Sequence, residues 1–134
     1  MFGMSRSARN FPYDTTARFS IELAENRIIM IRMSGLFDEV DSDRFFATLA
    51  PIDARVRAID GYVYALCEVD VVQPPAIGMR MRAGILSIAR PGDRIAMIYP
   101  SILAKLQLLR LTGDVPIFRG FPQVDLALTW LGRN

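Results

Sequence analysis

Between residues 18 and 24 (RFSIELA) apolar and polar side chains alternate, Phe19, Ile21 and Leu23 against Ser20 and Glu22. A period of two is the mark of a strand with one buried face. Glu25 and Asn26 supply turn chemistry, and RIIMIRM (27–33) follows at once as a second strand. A hairpin is therefore expected, ended by Gly35. The period then lengthens. In LFDEVDSDRFFATLAPI, Asp41 or Ser42 can cap a helix whose inner stripe is Phe45, Phe46 and Leu49. Asp38, Glu39, Asp41 and Asp43 crowd its start, where the positive end of the helix dipole favours carboxylates. Pro51 is expected to end or kink this helix, leaving DARVRAIDG irregular or weakly helical.

The stretch 61–72 (GYVYALCEVDVV) is apolar and rich in β-branched residues without clean alternation, as strands covered on both faces are. Pro74 and Pro75 interrupt it, and Ile77, Met81, Ile85 and Ile88 then recur at helical spacing until Arg90-Pro91-Gly92 stops them. RIAMIY (94–99) is the next strand. Pro100-Ser101 opens a further helix, with Ile102, Leu103, Leu106 and Leu109 assigned to its inner face and Gly113 to its C′ position. VPIFR (115–119) reads as a short edge strand because of Pro116. Pro122 is placed in the first turn of a last helix lined by Val124, Ala127, Leu128 and Leu131, with Trp130 just beside the stripe. The order is β-β-α-β-α-β-α-β-α. It calls for an α/β fold with a mixed sheet of about five strands and about four helices, an N-terminal hairpin followed by parallel strands joined by right-handed crossovers. Residues 1–16 are expected to be a flexible arm and 17–134 a single domain.

Composition removes several function classes. The chain has 134 residues, 51% of them apolar, enough for one continuous core. Charged or amide residues interrupt each apolar run before spanning length, and the N-terminus offers no signal-peptide core, so a cytoplasmic location is the default expectation. There is no histidine and one cysteine. Histidine-based nucleophile pairs, imidazole metal sites and internal disulfides are thereby excluded, and Cys67 reads as a small buried hydrophobe. The net charge of +2 is spread along the chain, without the dense basic patch that nucleic acid requires. No metal and no cofactor is expected.

The hairpin closing on MSGLFDEVDSDRF, the buried strand running into VDVVQPPAIG, and LAKLQLLRLTGDVPIF together resemble the STAS domain, the SpoIIAA-like fold of bacterial anti-anti-sigma factors, over about residues 17–133. The resemblance implies a regulatory domain with a phosphorylatable Ser or Thr in the loop after the long buried strand. Setting Gly78 against the family's second loop glycine puts Gln73 at the aspartate, Pro74 and Pro75 at the hydroxyl residues and Ala76 at the first glycine. Proline cannot accept a phosphate. From residue 61 to 87 the only side-chain hydroxyls are those of Tyr62, Tyr64 and Ser87.

The leading expectation is thus a non-catalytic STAS-like interaction module without that phosphoswitch, binding a protein partner or a second copy. Its contact patch would be Gln73, Pro74, Pro75, Met79 and Arg80, with Asp38 and Asp70 at neighbouring strand ends. In MRMR (79–82), the alternative places Met81 inward and both arginines in water. A second reading is a domain for a small apolar ligand or lipid, resembling SpoIIAA/SEC14-type proteins, which needs an enclosed apolar cavity. A third is an enzyme built on Glu68 and Asp70, two residues apart on one strand face, with Arg80. The strand at 18–24 is also expected to be an exposed edge open to pairing.

Overall fold

A computed structural model describes residues 15–70 and 72–132. The first fourteen residues of the expected arm lie outside these. Thr15 and Thr16 belong to the domain: the Leu36 N–H donates to the Thr15 carbonyl.

Five strands form one sheet: β1 (Arg18–Leu23), β2 (Ile29–Ser34), β3 (Tyr64–Val69), β4 (Arg94–Ile98) and β5 (Phe118–Phe121). Spatial order equals chain order, with β1 antiparallel to β2 and every later pair parallel. Between them run α1 (Glu39–Asp60), α2 (Pro75–Ile88) and α3 (Ile102–Thr112), and α4 (Val124–Leu131) closes the chain. Because the strands advance in one direction, right-handed crossovers put α1, α2 and α3 on the same face. Ile29, Ile31, Met33, Ala65, Cys67, Ile95 and Met97 point into that layer to meet Phe45, Leu49, Val56 and Ile77. The alternate residues Ile28, Leu66 and Ala96 point to the other face, where α4 covers them with Ala127 and Leu131. Arg94 fastens α4 by donating to the Trp130 carbonyl at 2.6 Å and stacking over the Trp130 ring.

The α/β class and the mixed sheet of five strands with four helices agree with the sequence, and several local readings do not. The hairpin loop is longer by one residue: Ala24 bonds to both Arg27 and Ile28, and Arg27 takes the left-handed conformation at φ 63°. Arg27 is held there by an ion pair with Asp60, its Nε–H shared between the two carboxylate oxygens at 3.1 and 2.9 Å. Helix α1 starts earlier than expected because Asp38 is its cap. Asp38 accepts from the Asp41 N–H, and the Asp41 carboxylate accepts from the Asp38 N–H, a reciprocal pair that closes the first turn. These N–H bonds hold the Asp38 carboxyl below its ordinary range.

Pro51 does not end the helix, which continues to Asp60. Pro51 and Ala47 are both exposed, so the carbonyl four residues before the proline, left without its usual donor, lies on the solvent side. The second half of α1 is anchored instead. Arg57 grips Asp93 through two bonds of 3.0 and 2.9 Å and reaches Asp53 at 3.3 Å. Asp93 also accepts from the N–H groups of Val63 and Arg90, so one carboxylate joins α1, β3, the end of α2 and β4. Burial opposes its ionisation, but Arg57 and the two amides outweigh burial and its pKa lies below the ordinary value.

Farther on, β5 begins at Phe118, after Pro116 rather than around it, and lies at the sheet edge. Pro122 precedes the Gln123 cap of α4 instead of occupying its first turn. Gly113 follows α3 with a right-handed φ of −63°.

Candidate functional site

The carboxyl ends of β2 and β3 and the starts of α1 and α2 meet at one end of the sheet, where open α/β proteins carry their sites. Gly35 makes the first connection possible. It has φ +76°, and a Cβ there would lie 2.0 Å from the Thr16 carbonyl oxygen, so only glycine fits. Its N–H donates to Asp70 and its carbonyl accepts from Gln73 Nε2 at 2.8 Å.

Gln73 is the centre of this end. Its Oε1 accepts from the Phe37 N–H at 2.9 Å, its backbone N–H donates to Gln107 Oε1 at 3.0 Å, and its carbonyl accepts from Gln107 Nε2 at 2.7 Å. Four hydrogen bonds therefore tie the loop before α1, the start of α2 and the middle of α3. Gln73 is only 6% exposed. This corrects the expectation that it forms part of an open contact patch: its polar atoms are used inside the molecule, in the manner of a buried satisfied amide. The double proline then does what a helix start needs. Pro74 is extended with ψ 143° and its carbonyl accepts from Gly78 N–H, while Pro75 occupies the first helical position, where no N–H is missed.

The other residues of the expected patch separate into two groups. Pro74, Pro75 and Met79 are exposed, Met79 by 54%. Arg80 is bound to α1, at 2.9 Å from Asp43 and 3.6 Å from Glu39, and these acids raise its pKa. Arg82, expected in water, turns to α3 instead, donating to the Leu111 carbonyl at 2.7 Å and approaching Asp114. Met81 is half-buried and takes a hydrogen bond from buried Ser42. The arginines of MRMR are straps to the two neighbouring helices. The acidic cluster at the start of α1 is consumed by the cap, by Arg80 and by Arg44. Among the described residues no group of three or more His, Cys, Asp or Glu could hold a metal ion. Asp38 is exposed in its capping role, and exposed Asp70 accepts from Gly35.

What the sequence reading placed wrongly is the outer face of α3. Ile102, Leu103, Leu106 and Leu109, assigned to the core, are exposed by 71, 70, 51 and 56%. The helix turns Ala104, Gln107 and Leu108 inward instead. The reason is Gln107: its bonds to the backbone of Gln73 fix the rotation of α3, and the leucines are left outside. The row carries two cations, Lys105 and Arg110, and no acid lies within α3. The signal was present in the sequence as a helix apolar on nearly every side, ILAKLQLLRL, more apolar than one buried stripe needs. Exposed Val72 and Met79 lie at the start of the neighbouring α2, and exposed Leu36 and Val40 at the start of α1.

Two concavities complete the picture. Under α1, α2 and α3 lies a cavity of about 120 Å³, walled by Ile31, Met33, Phe45, Met81, Ile85 and Met97 among others, with Gln73, Arg57 and Asp93 at its margins. On the opposite sheet face, which α4 leaves partly open, an exposed groove of about 640 Å³ contains Arg32, Ser34, Glu68, Asp70 and Ile98. Glu68 pairs with Arg32 at 2.9 Å. Arg80 is not among the groove's walls, so the three residues of the enzyme reading are not assembled into one site. Cys67 is fully enclosed, and burial, with a smaller contribution from Glu68, pushes its thiol up to about 12; it is no nucleophile at neutral pH. No described helix is long and apolar enough to cross a membrane. No protein-family model and no curated protein matches the chain.

Proposed function

We propose that this chain is a STAS-like, non-catalytic interaction module that binds a protein partner through the outer face of α3, without phosphoregulation at the loop after β3. The observation that carries this reading is the row Ile102, Leu103, Leu106 and Leu109, four large aliphatic side chains more than half exposed on one helix. A contiguous apolar surface of this kind marks an interaction site. Lys105 and Arg110 beside it favour a partner face that is apolar and carries carboxylates. Support for the STAS-like part comes from the element order and the parallel β2-β3-β4-β5 arrangement. The loop itself, Gln73-Pro74-Pro75, offers no hydroxyl, and its one polar side chain is committed to structure.

Co-purification from the source cell tests the reading. Wild type should retain a discrete partner that the Leu103→Asp/Leu106→Asp variant loses, while Ala54→Asp, an exposed change on α1, retains it. Loss in neither variant, or in both alike, contradicts the assignment to α3.

One observation favours a second reading, an apolar small-molecule site: the cavity beneath the helices. Its roughly 120 Å³ is near that of engineered apolar cavities of about 150 Å³ that admit benzene. It suits a ligand of that size rather than a lipid chain. Titration with benzene, followed by methyl NMR of Ile31, Met33 and Met97, tests it; unmoved methyl signals exclude it.

A further inference from the structure

Sulfur gathers on one wall of the cavity beneath the helices. Met33 of β2, Cys67 of β3 and Met97 of β4 point from three neighbouring strands into the helical layer, each no more than 8% exposed. All three line the cavity, as does Met81 of α2. Cys67 stands beside Met97 in the ladder, and its thiol is directed at the Met33 sulfur across 4.0 Å. We propose that Met33, Cys67 and Met97 form a binding site for Cu(I), with one thiolate and two thioethers as ligands.

The spacing suits an ion between the sulfurs. Bonds from sulfur to a first-row metal ion with a filled d shell are about 2.3 Å long. Two sulfurs 4.0 Å apart then subtend an angle of roughly 120° at that ion, which is trigonal and leaves one direction for a third ligand. Met97, opposite Cys67 on the next strand, is placed to supply it. Met81 is left out of the set because its sulfur already accepts from the Ser42 hydroxyl at 3.2 Å.

Charge and ligand softness choose the ion. Burial pushes the free thiol up to about 12, so the ion must displace the proton rather than meet a thiolate already formed. One S–H bond breaks, one S–Cu bond forms, the proton passes to the buffer, and neither partner changes oxidation state. Cu(I) in place of the proton leaves the group with no net charge. Zn(II) at the same place would leave one uncompensated positive charge against the hydrocarbon of Ile31, Phe45 and Ile85, which also wall the cavity and make a bare charge costly. The two carboxylates at the cavity margin, Asp53 and Asp93, are spent on Arg57, and the chain has no histidine. Thioether with thiolate is the ligand set that favours Cu(I).

Anaerobic titration of the full chain with Cu(I), in competition with a colorimetric Cu(I) chelator, tests the proposal, with circular dichroism showing that each variant folds. One equivalent should bind. Methyl NMR should show Met33 and Met97 shifting, while exposed Met79 and Met30, on the other face of the sheet, stay in place. Cys67→Ser, Met33→Leu and Met97→Leu should each weaken Cu(I) binding by roughly tenfold or more, and Zn(II) should not bind. The site shares its cavity with the benzene reading but not its chemistry: leucine keeps the wall apolar, so the two methionine variants lose Cu(I) without losing an apolar occupant. No uptake of Cu(I), an affinity that any one of the three substitutions leaves unchanged, or equal uptake of Zn(II) would each overturn the proposal.

Discussion

Gln73 and Gln107 show how much one pair of side chains can decide. Both are buried: the Gln107 side chain bonds the Gln73 backbone N–H and carbonyl, and the Gln73 side chain bonds the Phe37 N–H and the Gly35 carbonyl. Replacing Gln107 with Leu keeps the volume and strips the partners from the Gln73 backbone N–H and carbonyl. Two orphaned groups of this kind should cost about 2–4 kcal/mol, read as a lower urea midpoint with an unchanged m-value. Asp93 is the matching residue at the other end of the sheet. Its folded carboxyl is held below the ~3.9 of an unfolded aspartate, so its contribution is complete above that value and is lost as pH falls through the folded pKa. Asp93→Asn should therefore destabilise by about 3 kcal/mol at pH 7. The gap between variant and wild type should close on acidification below about pH 4; a gap independent of pH would show that charge is not the cause.

At the level of elements, alternation and helical periodicity were sufficient to find the hairpin, the central buried β3 and the inner stripes of α2 and α4. They failed where a second interaction outvoted the local rule. Pro51 argued for a break, yet capping at Asp38, the core stripe from Phe45 to Val56 and the Arg57–Asp93 clamp carry α1 through it. Pro51→Ala should accordingly raise stability by about 1–3 kcal/mol, measurable by thermal or urea unfolding. For α3 the pattern was ambiguous in itself: the row 102, 103, 106, 109 and the set 104, 107, 108, 111 are both reasonable helix faces. A polar Gln107 argued for the first as core. No local signal links Gln107 to a backbone thirty-four residues earlier, and that link chose the second. The same link explains the candidate site: Gln73 was legible as a distinctive residue in a distinctive loop, but its role is to hold the surface together, while the exposed leucines were read as core.

For the molecule as a whole, the amino end of the parallel sheet is closed by charge, with Arg57, Asp53 and Asp93. The carboxyl end is closed by amides and left apolar outside. Stability and recognition thus fall on different residues. Leu106→Lys should change unfolding free energy by no more than about 0.5 kcal/mol, whereas Leu66→Ala, in the core between sheet and α4, should cost about 2–5 kcal/mol. Paired urea titrations separate the two. The most direct measurement of the central claim is site-specific photo-crosslinking in the source cell, with a benzophenone side chain at position 106 and, separately, at position 54. A discrete heavier adduct is expected from position 106, suppressed by Leu103→Asp, and none from position 54. No adduct from position 106, or the same adduct from both positions, would contradict it.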